Sequence, residues 1–435
     1  MKRVLKLFAK VLLALFVILL VSWGIVSIPA LINHYVKYPA LEEARSLLWT
    51  TYQQPPTYTP YSDYKGVLHS HSYWSHDSRG ILKEIIPAAK QANLDFIFLS
   101  DHKRSVLDSF PRAYHGIYDQ LIIEAGTESG GLMVSPMRPT VLDWKQDKTD
   151  LIHEVVSTGG LVLYVHSEEA HDWANPDYQA MEIYNIHTDL KDEEGLFSFL
   201  VNTIYNAKSY RHWAYRELFD DQTDIWALWD SLNQHRQIVG MAAVDAHENQ
   251  SIRARYLEDG RVEWVGPNAN TIVIREAGWK EKLLLGKADS AGWAFRWGLD
   301  TYFHSFNYVN THILTDTFSN ISLKDHLIKG HAYIAFENLA EAKGFQFFSL
   351  DQQGQLNAIM GDSIAAQEVS SLKVVSPFPV RLQLIKNGVL IDEMSELYSY
   401  EYELNGQKGN YRITAAVKLG SEWYTWVLTN PIYVF

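Results

Sequence analysis

The stretch Gly66-Val67-Leu68-His69-Ser70-His71, followed by Ser75-His76-Asp77-Ser78, decides how the rest of the chain is read. Two histidines one residue apart follow a short apolar run. On an extended strand their side chains point the same way, because strand side chains repeat every two residues. Two imidazoles on one face at a strand end can grip a metal ion. Further candidates recur in one repeated context: Asp101-His102, Glu128, His166 and Asp245-Ala246-His247 each follow a run of apolar or β-branched residues. This context predicts successive strands of one barrel whose ends meet around two or three metal ions.

The intervening pattern fits that reading. Ile81–Ala92 has helical periodicity, with Ile81, Ile85, Ile86 and Ala89 on one side. Strands are predicted at 95–100, 121–125, 161–165, 181–185 and 238–244, with helices over 147–157 and 224–235. Thr271-Ile272-Val273-Ile274, with a helix near 280–287, makes one more unit. Strands separated by helices imply parallel βαβ units, and uninterrupted apolar strands imply a sheet buried on both faces. In such barrels the chemistry sits at the C-terminal ends of the strands, where every candidate falls.

Composition sets outer limits. The 435 residues carry 47% hydrophobic and 20% charged side chains, a globular balance. The formal net charge of −13 argues against nucleic-acid binding. Absence of cysteine excludes disulfides, Cys-ligated zinc, a thiol nucleophile and a lipoprotein anchor on the chain. Lys2, Arg3, Lys6 and Lys10 precede an uncharged stretch from Val11 to Ile32. As a helix it measures roughly 33 Å, against about 30 Å of bilayer hydrocarbon. The positive-inside rule places residues 1–10 in the cytoplasm and the rest outside. A retained anchor is favoured over a cleaved signal, because the run is long and has no clean cleavage site.

Four segments are expected: a cytoplasmic stub and transmembrane anchor (1–32), a linker (33–60), the barrel (61–340) and a β-sandwich (341–435). The linker has a short helix near 41–48 and an extended Gln53–Pro60 stretch. The last segment shows short alternating runs, with Lys386-Asn387-Gly388 as a hairpin signal.

The motifs Leu68-His69-Ser70-His71-Ser72 with Ser75-His76-Asp77, Leu99-Ser100-Asp101-His102, Gly126-Thr127-Glu128, Val165-His166 and Val244-Asp245-Ala246-His247 resemble, in this order, the PHP family of metal-dependent phosphoesterases. The resemblance spans about residues 64–250. It implies an α/β fold, a distorted seven-stranded β/α barrel. The barrel followed by a sandwich also looks like a membrane- or envelope-associated branch with carbamate- and amide-cleaving members. It further implies that His69, His71, Glu128 and Asp245 hold one metal. Glu128 would bridge to a second held with His166, and Asp77, His102 and His247 would hold a third. Imidazoles with carboxylates suit zinc, manganese or iron. Asp101, Glu128 and Asp245 would also act in catalysis, Asp101 by orienting a neighbouring ligand. Asp77 is preferred to His76 in the first motif.

One departure is that family members often carry a histidine soon after the bridging glutamate, where Gly130–Ser135 offers none. His153 is read as a surface or packing residue. Lys103, Glu182 and Arg253 are candidate substrate contacts, with Arg104 and Arg255 as further possible phosphate clamps and Asn185 and His187 as site lining. The Tyr205–Trp229 stretch fits an apolar groove or helix packing equally.

The expected activity is phosphoester hydrolysis by a metal-activated water, on a small-molecule or lipid-like phosphorylated substrate. Amide, ester or carbamate hydrolysis on the same site is the alternative. A non-catalytic envelope binding protein is the third reading, disfavoured because a scaffold has no reason to keep so many ligands.

Overall fold

In the computed structural model, which describes residues 2–104, 112–138, 140–186, 188–189 and 195–435, the run before His69 forms strand β1 (Ser62–Ser70). His187 lies outside the described residues. The following strands are β2 (Phe96–Leu99), β3 (Asp101–His102), β4 (Gly116–Tyr118), β5 (Leu121–Glu124), β6 (Thr127–Ser129), β7 (Leu132–Ser135), β8 (Leu161–Tyr164), β9 (Ala180–Asn185) and β10 (Val239–Ala246). β1 pairs in parallel with β2 on one side and β10 on the other. β2 pairs in parallel with β5, and β3 with β6. β7 lies antiparallel to both β6 and β8. β8, β9 and β10 then pair in parallel, so the pairing returns to β1. The expectation of purely parallel units therefore fails at β7. The cause is local: Gly130 and Gly131 both have positive φ, and they turn the chain straight back into a hairpin.

Glycine permits close approach at one other junction that matters here. A Cβ on Gly126 would lie 2.0 Å from the Leu99 carbonyl oxygen. The strand leading to Glu128 can therefore sit against the end of β2.

The unit predicted at 271–274 is not part of this ring. Strands β11 (Ser251–Tyr256), β12 (Arg261–Val265), β13 (Thr271–Glu276) and β14 (Phe295–Gly298) form a separate antiparallel sheet in the order β13-β12-β11-β14. Only four residues join β11 to β12, too few for a parallel crossover. Ile272 and Ile274 are exposed, so their alternation marks no core face.

The expected linker also differs. The apolar helix Lys2–Ile32 runs through a π turn at Asn33–Lys37 into the helix Tyr38–Thr50. Tyr38 and Leu48 are buried, Glu42 accepts a hydrogen bond from the Trp213 indole, and Arg45 donates to the Asn338 carbonyl. Residues 38–50 thus pack on the body instead of hanging as a tether.

β15 (Asn310–Thr315) pairs antiparallel with the first half of β1, and β16 (Ala332–Ala335) pairs with β15. β16 in turn pairs with Val427–Thr429, so the sheet continues into the C-terminal strands. Those are mostly antiparallel; the long pair Ser371–Lys386 and Val389–Glu403 turns at Asn387 and Gly388, both at positive φ, as the sequence predicts.

A buried polar network ties these parts together. The His312 ring lies between Asp63 (2.8 Å) and Glu337 (3.2 Å), with Lys65 on Glu337 and the Tyr333 hydroxyl on Asp63. Burial opposes the imidazolium, but Asp63 and Glu337 raise its pKa to about 9. Removing one partner of such a set strands buried charge, at about 3–5 kcal/mol. His312→Ala is expected to lose about that much in urea unfolding at pH 6. The raised folded pKa contributes stability in full below the unfolded value of about 6.5. That stability disappears as pH rises through 9, so the gap between wild type and variant should narrow there.

Candidate metal centre

The two histidines of the opening motif converge, but not by strand alternation. His69 sits at φ 59°, where the β1 register against β2 and β10 shifts. It is a bulge residue in the left-handed region. His166 (φ 53°) and Asp245 (φ 43°) adopt the same conformation at their own strand ends. Such backbone costs of order 1–3 kcal/mol per residue and clusters at functional sites. Here it turns three candidate ligands toward one point.

The donor atoms fall into overlapping groups: His71, Asp77, His102 and His247; His69, His71 and Glu128; and His69, His166 and Asp245. In the deepest part, His69 Nε2 lies 3.1 Å from Glu128 Oε2 and 3.2 Å from Asp245 Oδ1. His71 Nε2 lies 3.4 and 3.2 Å from the same two oxygens. Four donors at about 2.0 Å from a shared centre in a tetrahedral zinc site would lie about 3.3 Å apart. The four His–carboxylate spacings are close to that length, and the donor groups that close are His69, His71 and Glu128, and His69, His166 and Asp245. Asp77 Oδ2 lies 3.1 Å from His247 Nε2 and 3.4 Å from His102 Nε2. Asp77, and not the exposed His76, thus meets the other two residues of its predicted set. Glu128 Oε1 faces His166 Nε2 at 3.6 Å while its Oε2 faces His69, so one carboxylate spans two groups.

Charge is arranged as a cation site requires. Asp77, Glu128 and Asp245 are desolvated, yet the facing histidines hold their carboxyls well below the usual range. Burial works against a proton on His69, but Asp245, Glu182 and Glu128 keep its pKa well above normal. Burial likewise opposes charge on His166 and His247; Glu128 raises the first to about 9, and Asp245 with Asp77 raises the second to about 9. His71 falls to about 3 through burial and the His247 ring, stacked on it at 3.8 Å. Protons on His69, His166 and His247 thus face the buried carboxylates, while His71 stays neutral. His/carboxylate clusters of this composition could hold divalent metal.

Four expectations change on inspection of side-chain partners. Glu182 does not face a substrate: it is 2% exposed. Its Oε1 meets His69 Nδ1 at 2.5 Å, and its Oε2 accepts from the His166 backbone N–H and the Asn185 amide. It fixes the His69 tautomer and the His166 turn together. The sequence carried a signal for this, a lone carboxylate inside the apolar run Met181–Tyr184, since such groups are rarely buried without partners. Arg253 is fully buried over the Trp293 ring and donates to the Glu248 carbonyl. Arg104 binds the carbonyls of Tyr73, Trp74 and Ser75, and Arg255 pairs with Glu263. Lys103, half-buried with its ammonium 5.1 Å from the Trp144 ring, follows His102 directly.

Asp101 accepts from both the backbone N–H and hydroxyl of Ser72 (2.6 and 2.8 Å), bracing the turn after His71; burial raises its pKa to about 6. The missing histidine after Glu128 has a steric counterpart. The His171 ring packs over Gly131, where a Cβ would approach it to 2.8 Å. His153 is exposed and pairs with Asp177.

No protein-family model matches the sequence, and no curated protein matches it. Among solved structures, the chain is similar to a two-domain protein from Bacteroides vulgatus ATCC 8482 described as containing a predicted PHP-like metal-dependent phosphoesterase. The identity is 11% and the TM-score 0.35, over 86% of this chain and 97% of the other.

Two outcomes are expected. Glu182→Gln should weaken zinc or manganese binding about 10- to 100-fold in a chelator competition, with the fold intact by circular dichroism. Metal uptake should release protons between pH 6 and 8.5 and tighten as pH rises, because His166 and His247 must lose protons held up to about pH 9. Calorimetry in buffers of different ionisation enthalpy measures this.

Proposed function

We propose that this chain is a metal-dependent phosphoesterase, held to a membrane by its N-terminal helix, with the site outside the cytoplasm. The observation that carries the reading is the set of three overlapping donor groups: His69, His71 and Glu128; His69, His166 and Asp245; and His71, Asp77, His102 and His247. We read the closed strand pairing as the distorted seven-stranded β/α barrel, about residues 61–340, followed by the sandwich at 341–435. Two or three divalent ions (zinc, manganese or iron), when bound, would supply Lewis acidity and lower the pKa of water to about 7.

The chain's own groups set the rest. Glu128 and Asp245 stay ionised, so each can hold a cation. Glu182 and Asp101 position the histidine turns. His69 and His71 are sealed inside, while His102, Asp77, His166 and His247 keep 12–26% of their side-chain surface exposed. Substrate would therefore approach from the Asp77, His102 and His166 side, where Lys103 offers a cation to a phosphorylated small molecule or lipid-like headgroup.

A second reading, hydrolysis of an amide, ester or carbamate, is favoured by one observation. Three of the four basic residues expected to clamp phosphate, Arg104, Arg253 and Arg255, already have partners.

The full chain in detergent, loaded with manganese or zinc, should hydrolyse an aryl phosphate, and His69→Ala/His71→Ala should lower the rate at least about a hundredfold. Aryl ester cleavage without phosphatase activity would move the assignment to the second reading. No activity on either would remove both.

A further inference from the structure

The helix Leu196–Asn206 is arranged inside out for a helix facing water. Its buried side is mostly polar: beside Val201, Asn202, Thr203 and Asn206 are 6%, 0% and 0% exposed. Its outward side is apolar: Phe197 is 62% and Ile204 48% exposed, with half-buried Leu200 between them. Positions 197, 200 and 204 share one helical face, and the exposed Lys208 follows in the turn just after the helix. A soluble helix turns its apolar stripe to the core. Apolar residues outward with a terminal lysine fit an interfacial helix, whose apolar face enters the acyl boundary.

The polar side meets the base of the N-terminal helix. Asn33 donates to Asn202 (3.0 Å), His34 pairs with Asn206 (3.0 Å), and Asn202 donates to the Tyr38 hydroxyl (2.6 Å). Asn206 also reaches the Ala30 carbonyl at 3.5 Å. Residues 202–206 are therefore level with residues 30–38. At that level the N-terminal helix still exposes Leu31, Ile32, Tyr35 and Val36. Ile204, between Asn202 and Asn206 in sequence and on the opposite face of its helix, is exposed at the same level as this end of the anchor.

We propose that the helix Leu196–Asn206 is a second membrane contact, lying in the lipid interface beside the anchor and fixing how the body sits on the bilayer. This rests on the anchor reading above. The occupant is phospholipid, reached through Phe197, Leu200 and Ile204.

The chain has no cysteine, so one introduced thiol labels one site. Nitroxides are placed at Ile204→Cys, Phe197→Cys, Leu19→Cys within the anchor, and Val389→Cys on an exposed hairpin of the C-terminal strands. The full chain is reconstituted in phosphatidylcholine/phosphatidylglycerol nanodiscs. Spin relaxation by oxygen and by a water-soluble nickel chelate is then compared. The labels at 204 and 197 should show an oxygen-to-chelate ratio several-fold above that at 389, and the 204 ratio should approach that at 19. A ratio at 204 equal to that at 389 overturns the proposal. Shielding of 204 from both reagents also overturns it, because a protein partner then covers the face. A chelate-accessible label at 19 would remove the anchor reading, and this proposal with it.

Discussion

Buried negative charge governs this structure. Asp245, Glu128 and Glu182 are sealed beside His69 and His71 at the ends of strands that are otherwise apolar. Charges taken from water must find opposite charge or revert to neutral. Here Asp245 and Glu128 stay ionised, and among the two histidines it is His69, not His71, that carries a compensating proton. Three residues of this cluster, His69, His166 and Asp245, also hold left-handed backbone. His69, His166 and Asp245 keep left-handed φ because the ladders on either side and the Glu182 carboxylate hold them.

The same logic operates again at the far end of β1. Asp63, Lys65, His312 and Glu337 form a closed network that fastens β1 to β15 and to the segment leading into the C-terminal strands. One strand thus carries a structural ion cluster at its start and a candidate metal cluster at its end.

Much of the site was legible in the chain. The motifs name the residues that come together, because ligands at strand ends follow apolar runs and the order of runs is the order of strands. What resisted reading depends on partners distant in sequence. The bulge at His69 is set by β2 and β10, and no local residue announces it. Glu182 could be recognised as a buried carboxylate but not assigned to His69, 113 residues away. Arg253 looked like a phosphate clamp, since nothing nearby showed that Trp293 would cover it. The 271–276 strand had the right alternation, yet its short connections built a hairpin sheet. The helix over 38–50 took its place from Trp213 and Asn338.

The most direct test of the central claim is anomalous diffraction from crystals of the full chain soaked in manganese or zinc, recorded at the metal edge. Anomalous peaks are expected among His69, His71, Glu128 and Asp245, and beside Asp77, His102 and His247. A map with no peak within bonding distance of these donors, in crystals that diffract well and at neutral pH, would contradict the account.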